Sequence, residues 1–214
     1  MTKIQSYISS FQTISLKEMN SVRLMNRIDT KFVFNKILLC EILPILKEKY
    51  RVLKVSGARY SKYASVYFDT PDFLFYHSHH NGRINRVKIR FREYINSGLC
   101  FLEIKKKNAK GKTIKSRVNV PKSSRALSKS HHRFIKQKLE KDYELSYCHE
   151  NFFNRITLVN KVMKERLTID FNFRFKNHPN KIIDDAKKIV IAELKQERLN
   201  RDSFFYDIMR KNRI

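Results

Sequence analysis

Residues 86–118 read RVKIRFREYINSGLCFLEIKKKNAKGKTIKSRV, and their alternation decides the fold. Arg86, Lys88, Arg90 and Arg92 take every second position, with Val87, Ile89 and Phe91 between them. That period belongs to a strand with one cationic and one apolar face. Asn96-Ser97-Gly98 turns the chain. From Leu99 to Lys107, Glu103, Lys105 and Lys107 share one face, and Leu102 and Ile104 the other. Asn108-Ala109-Lys110-Gly111 turns it again. Thr113, Lys115 and Arg117 then stand against Ile114, Val118 and Val120. The three runs predict an antiparallel meander.

Like charges directly opposite one another destabilise a sheet. Here at least seven cations share a face with Glu103 as the one nearby acid. A bound polyanion would neutralise such a face. On this reading, removing Arg90 or Lys105 leaves the unliganded protein as stable as before, or more so.

Working outward, the whole chain is basic: 46 Lys and Arg against 20 Asp and Glu, a formal charge of +26. This balance implies an anionic partner. At 214 residues with 16 Phe and 10 Tyr, the chain can bury a core as a single domain spanning 1–214. With 4 Gly and 4 Pro it does not read as low-complexity. Cys40, Cys100 and Cys148 are isolated, which predicts reduced thiols and a cytoplasmic location. No apolar run approaches the ~18–20 residues of a membrane span.

Before the meander, residues 4–26 read as an N-terminal packing helix, with capping-box spacing at Ser15 and Glu18. Arg27, Asp29 and Lys31 alternate with Ile28, Thr30 and Phe32 on a strand. Lys36–Tyr50 reads as an amphipathic helix burying Ile37, Leu38, Ile42, Ile45 and Leu46, with Pro44 inside it. Tyr60–Asp69 is strand-like and ends at Thr70-Pro71-Asp72. Residues 73–82 read as a surface connector whose His77, His79 and His80 lack an acid or Cys at zinc-ligand spacing.

After the meander, residues 123–146 read as a Lys-rich helical region with a thin stripe of Leu127, Phe134, Ile135 and Leu139. Phe152–Val159, containing Arg155, begins a strand. Arg166, Thr168, Asp170, Asn172 and Arg174 alternate with Leu167, Ile169, Phe171 and Phe173. Glu193 and Lys195 stand opposite Val190, Ala192 and Leu194. A final helix carries Phe204, Phe205, Ile208 and Met209.

About eight strands with one polar and one greasy face predict an α+β fold. Its centre is a closed antiparallel β-barrel with helices packed outside over the greasy faces and charged side chains lining the lumen. A lumen of this composition suits a phosphate chain with a divalent metal.

The sequence resembles the triphosphate tunnel metalloenzymes, and within them the bacterial form of the VTC-type polyphosphate polymerase domain. The resemblance rests on residues 25–32 (MNRIDTKF), 67–72 (YFDTPD), 79–90 (HHNGRINRVKIR), 101–105 (FLEIK), 166–170 (RLTID) and 192–195 (AELK). It implies that Lys88, Arg90 and Lys105 grip the phosphates at the catalytic centre, with Lys115, Arg117 and Arg155 beside them. It implies that Glu193 binds the metal, Mn²⁺ or Mg²⁺, with Lys195 on the same face. Alternation adds Lys31, Arg86, Arg92 and Asp170 to the lumen.

The resemblance implies transfer of the γ-phosphate of ATP, or another nucleoside triphosphate, to a growing polyphosphate chain. The hydrolytic branch carries Glu-x-Glu-x-Lys where this sequence has Arg27-x-Asp29-x-Lys31. Polymerase-branch chains continue into a Phe-Ser-Lys-like segment, which this sequence, ending at Ile214, does not contain. Two alternatives stay within the fold: hydrolysis of tripolyphosphate, or non-catalytic binding of polyphosphate, pyrophosphate or inositol phosphates. The converging strand faces argue against nucleic acid, which would require an outer basic stripe. A membrane-protein partner that receives the product is left open.

Overall fold

The computed structural model describes residues 3–19, 27–109, 113–177, 182–183 and 185–214. The elements run α1 (Lys3–Ser9), β1 (Thr13–Ile14), β2 (Ile28–Asn35), α2 (Lys36–Lys49), β3 (Tyr50–Leu53), β4 (Ser61–Asp69) and α3 (Leu74–His80). The meander follows as β5 (Arg86–Tyr94), β6 (Leu99–Lys107) and β7 (Thr113–Val120). Then come α4 (Lys129–Leu139), β8 (Ser146–Asn160), β9 (Glu165–Asn177), β10 (Ile182–Ile183), β11 (Ile189–Gln196) and α5 (Phe204–Lys211). The strands pair in the order β2-β11-β9-β8-β4-β5-β6-β7. The ladder is not strictly closed among the described residues, because β2 and β7 stand at the ends of that order.

The chain forms two compact units: residues 1–62, 153–174 and 184–214, and residues 63–152 and 175–183. In the first, β2, β11 and β9 bury Phe32, Phe34, Val190, Ala192, Leu194, Leu167 and Ile169 beneath α1, α2 and α5. Asn35 caps α2, its side chain accepting from the Leu38 amide. Glu165 is fully buried and accepts hydrogen bonds from Tyr50, Gln196 (2.7 Å) and Asn160 (3.4 Å). Burial pushes the Tyr50 phenol far up, and the Glu165 carboxylate adds to the effect. In the second unit, the apolar sides of β4, β5 and β6 bury Val66, Phe68, Ile89, Phe91, Leu102 and Ile104. Ile135 and Leu139 of α4 and Phe75 of α3 cover them. In both units the greasy strand faces lie under helices, as the alternation requires.

Four local expectations are corrected. The N-terminal helix ends at Ser9 and β1 follows it; residues 20–26 lie outside the described part. The reciprocal Ser15–Glu18 bonds do form, but on a short turn. Ile37 and Ile45 of α2 are exposed, because Leu39 and Leu43 join Ile42 and Leu46 on its buried face instead. Residues 74–80 are helical rather than a loop, for a reason given below. The polar region 123–146 contains only one helix, α4, of 11 residues. Of the expected 108–111 turn, residues 110–111 lie outside the described part.

Candidate functional site

In the second unit the register converts alternation into rows. Lys88 stands opposite Lys105, and Lys105 opposite Lys115. The next row is Tyr67, Arg90, Glu103 and Arg117. Arg92 follows, opposite Ser65 and Phe101, and Arg86 pairs with Lys107 at the other end. All eight predicted cations of the meander therefore share its polar face.

They are not equivalent. Arg90 is 5% exposed and Glu103 is 1% exposed. Nε and Nη2 of Arg90 donate to Glu103 Oε2 at 3.0 and 2.7 Å, and Nη1 donates to the Tyr67 hydroxyl at 3.0 Å. Lys115 Nζ approaches Glu103 Oε1 at 2.6 Å. Burial alone would raise the Glu103 carboxyl, but Arg90 and Lys115 hold it at about 2. Burial would likewise raise the Tyr67 phenol, yet Arg90, Arg92 and Lys88 bring it down to about 8. Arg90, expected as a phosphate clamp, is thus the centre of a buried ion pair. Alternation cannot see this, because it assigns a face and not a partner.

Lys105 is half-buried. Burial first, then Arg90, Arg92 and Lys115, lower its ammonium to about 8, with Glu103 opposing. Arg117 is exposed and lies 4.6 Å over the Phe101 ring. Arg92 lies 5.4 Å over the Tyr63 ring and reaches Ser65 Oγ at 3.4 Å.

The polar face of the first unit mixes signs. Glu193 stands opposite Lys31 on β2 and Thr168 on β9; Lys195 stands opposite Asp29 and Arg166. Lys31 pairs with Glu193 at 2.9 Å, while Lys195 contacts Glu193 and lies 3.6 Å from Asp29. Arg155 forms a bidentate pair with Asp170, both bonds 2.5 Å. Burial lowers Lys195 to about 7; Asp29 opposes the shift and Arg27, Arg155 and Arg166 reinforce it. The predicted residues Lys31, Arg155, Glu193 and Lys195 thus share one unit, and Lys88, Arg90 and Lys105 the other.

Sequence reading missed one feature entirely. The Tyr67–Asp72 motif, read as a strand end, builds a cavity. Oδ1 of buried Asp69 accepts from the Thr70 and Phe75 amides, and Oδ2 from the Tyr76 amide. Thr70 Oγ1 donates to Asp72 and accepts from the Leu74 amide. These bonds fix the start of α3, which is why the connector becomes a helix. Beside it lies a cavity of about 590 Å³ lined by Tyr67, Phe73, Tyr76, Lys88, His149 and Asn151, among others. Only the tandem Asx and Thr residues hinted at it.

A strand ladder with helices under its greasy sides and cations along its polar side has known counterparts. A candidate adenylate cyclase of Bacillus halodurans superposes with a TM-score of 0.50 at 12% identity, over 87% of this chain and 89% of that one. An adenylyl cyclase candidate of Hippeastrum with a dominant triphosphatase activity gives 0.49 at 12% identity, over 88% and 87%. A candidate adenylate cyclase of Vibrio parahaemolyticus gives 0.48 at 12%, over 88% and 85%. No curated protein matches the chain. The fold is the triphosphate tunnel fold. A family model for the VTC domain matches residues 26–214, and the chain belongs to that family.

Proposed function

We propose that the protein is a metal-dependent polyphosphate polymerase that moves the γ-phosphoryl group of ATP onto a polyphosphate chain. The observation that supports it best is the row Lys88–Lys105–Lys115, three like charges on adjacent strands. Glu103 pairs with Lys115 from one side, and an anion along the row would offset repulsion between the like charges. Arg117, Arg92 and Arg86 extend the binding face, and Arg90 holds Glu103 and Tyr67 in place beneath it. VTC-domain membership supports the choice of substrate.

The terminal oxyanion of the polyphosphate chain attacks the γ-phosphorus, the bond to the ADP oxygen breaks, and ADP leaves. No proton moves, so no general base is required. The side chains contribute alignment and charge neutralisation. Lys31, Arg155 and Lys195 of the first unit are proposed as further substrate-binding residues.

For the metal, Glu193 and Asp29 are the carboxylates that flank Lys195. Among the described residues, no three His, Cys, Asp or Glu side chains gather as a metal site. An ion held chiefly by phosphate oxygens needs only one or two carboxylates, and Glu193 with Asp29 fits that requirement. When bound there, Mg²⁺ or Mn²⁺ would supply charge neutralisation for a phosphate group.

The test is incubation of pure protein with ATP and Mn²⁺, followed by a gel stained for polyphosphate. Polymer is the expected product; ADP and phosphate without polymer would assign hydrolysis instead. Tripolyphosphate should also raise the Tm, by mass action worth about 2.7 kcal/mol at a hundred times Kd. Sulfate at equal ionic strength should do much less, and equal effects would overturn a shaped phosphate site.

A further inference from the structure

The members of the row Lys88–Lys105–Lys115 are held differently. Lys115 is tied to Glu103 at 2.6 Å. Lys105 is half-buried between its two neighbours. Lys88, at the β5 end of the row, meets an aromatic ring: its Nζ lies 5.8 Å from the centre of Tyr67. A lysine ends in a flexible four-carbon stem, and ordering such a side chain on a ligand costs rotamer freedom. A cation is attracted to an aromatic face, so the ring restricts the stem before any anion arrives.

Tyr67 is itself fixed by two neighbouring strands. The register sets it across from Arg90 on β5. Arg90 Nη1 donates to its hydroxyl at 3.0 Å, and Arg90 is anchored in turn by Glu103. From β8 the His149 imidazole stacks on the Tyr67 ring, with centroids 4.5 Å apart and planes at 13°. Nδ1 of His149 lies 3.3 Å from Cys148 Sγ, which orients the imidazole. Burial first, then Lys88, lower His149 from its ordinary value, and Asp69 opposes them. The imidazole is therefore uncharged at neutral pH. It backs the phenol ring with a flat surface and adds no further cation beside Lys88.

We propose that the Tyr67–His149 stack is a positioning platform that aims the Lys88 ammonium at a phosphate bound along the lysine row. The inference rests on the phosphate-binding reading of that row. Tyr67 and His149 are positioning residues: they act through Lys88 and need no contact with the phosphate. Their packing locks the ring, and the ring narrows the positions open to the ammonium. Glu103 does the same for Lys115 with a carboxylate. At Lys88 an uncharged face does it, so the ammonium keeps its full charge for the anion.

The test is calorimetric titration of tripolyphosphate into the wild type, Tyr67→Phe, Tyr67→Leu, His149→Leu and Lys88→Met, and into Lys88→Met combined with each leucine substitution. Lys88→Met should weaken binding about tenfold, the range of a hydrogen bond to a charged group. Tyr67→Leu removes the ring and should weaken it about fivefold. His149→Leu, which removes only the backing, should weaken it about threefold. Tyr67→Phe keeps the ring and should stay within about twofold of the wild type. With Lys88→Met in place, either leucine substitution should add less than about twofold, because no ammonium is left to aim. A change that merely loosened the sheet would weaken binding equally in both backgrounds, and that result would overturn the platform. So would a loss in Tyr67→Phe as large as in Tyr67→Leu, which would assign the effect to the hydroxyl and Arg90. Should one leucine variant fail to fold, the other carries the same cycle. If the wild type binds tripolyphosphate and both leucine variants bind it equally well, only this inference falls. If the wild type does not bind it, the phosphate reading of the row falls and takes the platform with it.

Discussion

Glu103 and Glu193 are both carboxylates set among cations on a strand face, one in each unit, yet they are held differently. The Glu103 side chain has no exposed surface and faces Arg90 and Lys115. The Glu193 side chain keeps 22% of its surface exposed and meets Lys31, itself 62% exposed, and Lys195. A buried pair cannot lose one member without stranding the other, whereas a solvated pair can. The two acids look alike in the alternating sequence, and burial makes Glu103 part of the framework while leaving Glu193 accessible to ligands.

The largest effect that tests this contrast is Arg90→Ala. It leaves Glu103 buried with Lys115 alone and should cost about 3–5 kcal/mol in urea unfolding. That reverses the expectation from alternation, which treats Arg90 as one repelling cation among many. A wild-type midpoint would return Arg90 to the phosphate-binding set.

Glu193→Gln comes next. If Glu193 holds the metal, turnover with Mn²⁺ should fall about a hundredfold or more, with tripolyphosphate affinity largely kept. Retained metal-dependent turnover would make Glu193 a plain counterion.

Lys105→Ala should weaken tripolyphosphate about tenfold or more, the range of a hydrogen bond to a charged group. Stability without ligand should hold or rise, since the lysine row loses a repulsion. Loss of both affinity and stability would make Lys105 structural.

A subtler contrast appears in pH. Lys105 titrates at about 8 in the folded protein and near 10.5 when unfolded. Between those values the unfolded chain binds more protons, so folding stability rises with pH. Tyr67, brought down from 10.0 to about 8, acts in the same direction. Unfolding midpoints of the unliganded protein should therefore climb from about pH 8 to 10, and Lys105→Met should flatten part of the climb. A falling midpoint in that window would contradict the depressed ammonium. Smallest of all, Lys31→Ala should change stability by about 0–1 kcal/mol, as solvated ion pairs do.

Much of the architecture was legible because period two is a direct readout of which way a strand side chain points. The meander, the helix over residues 36–49, and the shared faces of Lys88 with Lys105 and of Glu193 with Lys195 all follow from it. The N-terminal segment was misread because Ser9 and Ser10 end α1 early, where capping spacing alone cannot tell a turn from a helix start. The cavity was legible only as a hint in the tandem Asx and Thr residues. It depends on Asp69 reaching amides six and seven residues ahead, and on Asn151 and His149 arriving from β8.

The sequence by itself determined the strand faces, their charge and the resemblance to the VTC domain, because these depend only on residue order and local period. Tertiary structure alone decided which cation is a buried partner and which remains accessible to an anion. Register sets Arg90 across from Glu103 and Lys88 across from Lys105, and burial then multiplies the consequence, since a charge removed from water must find its partner within the protein.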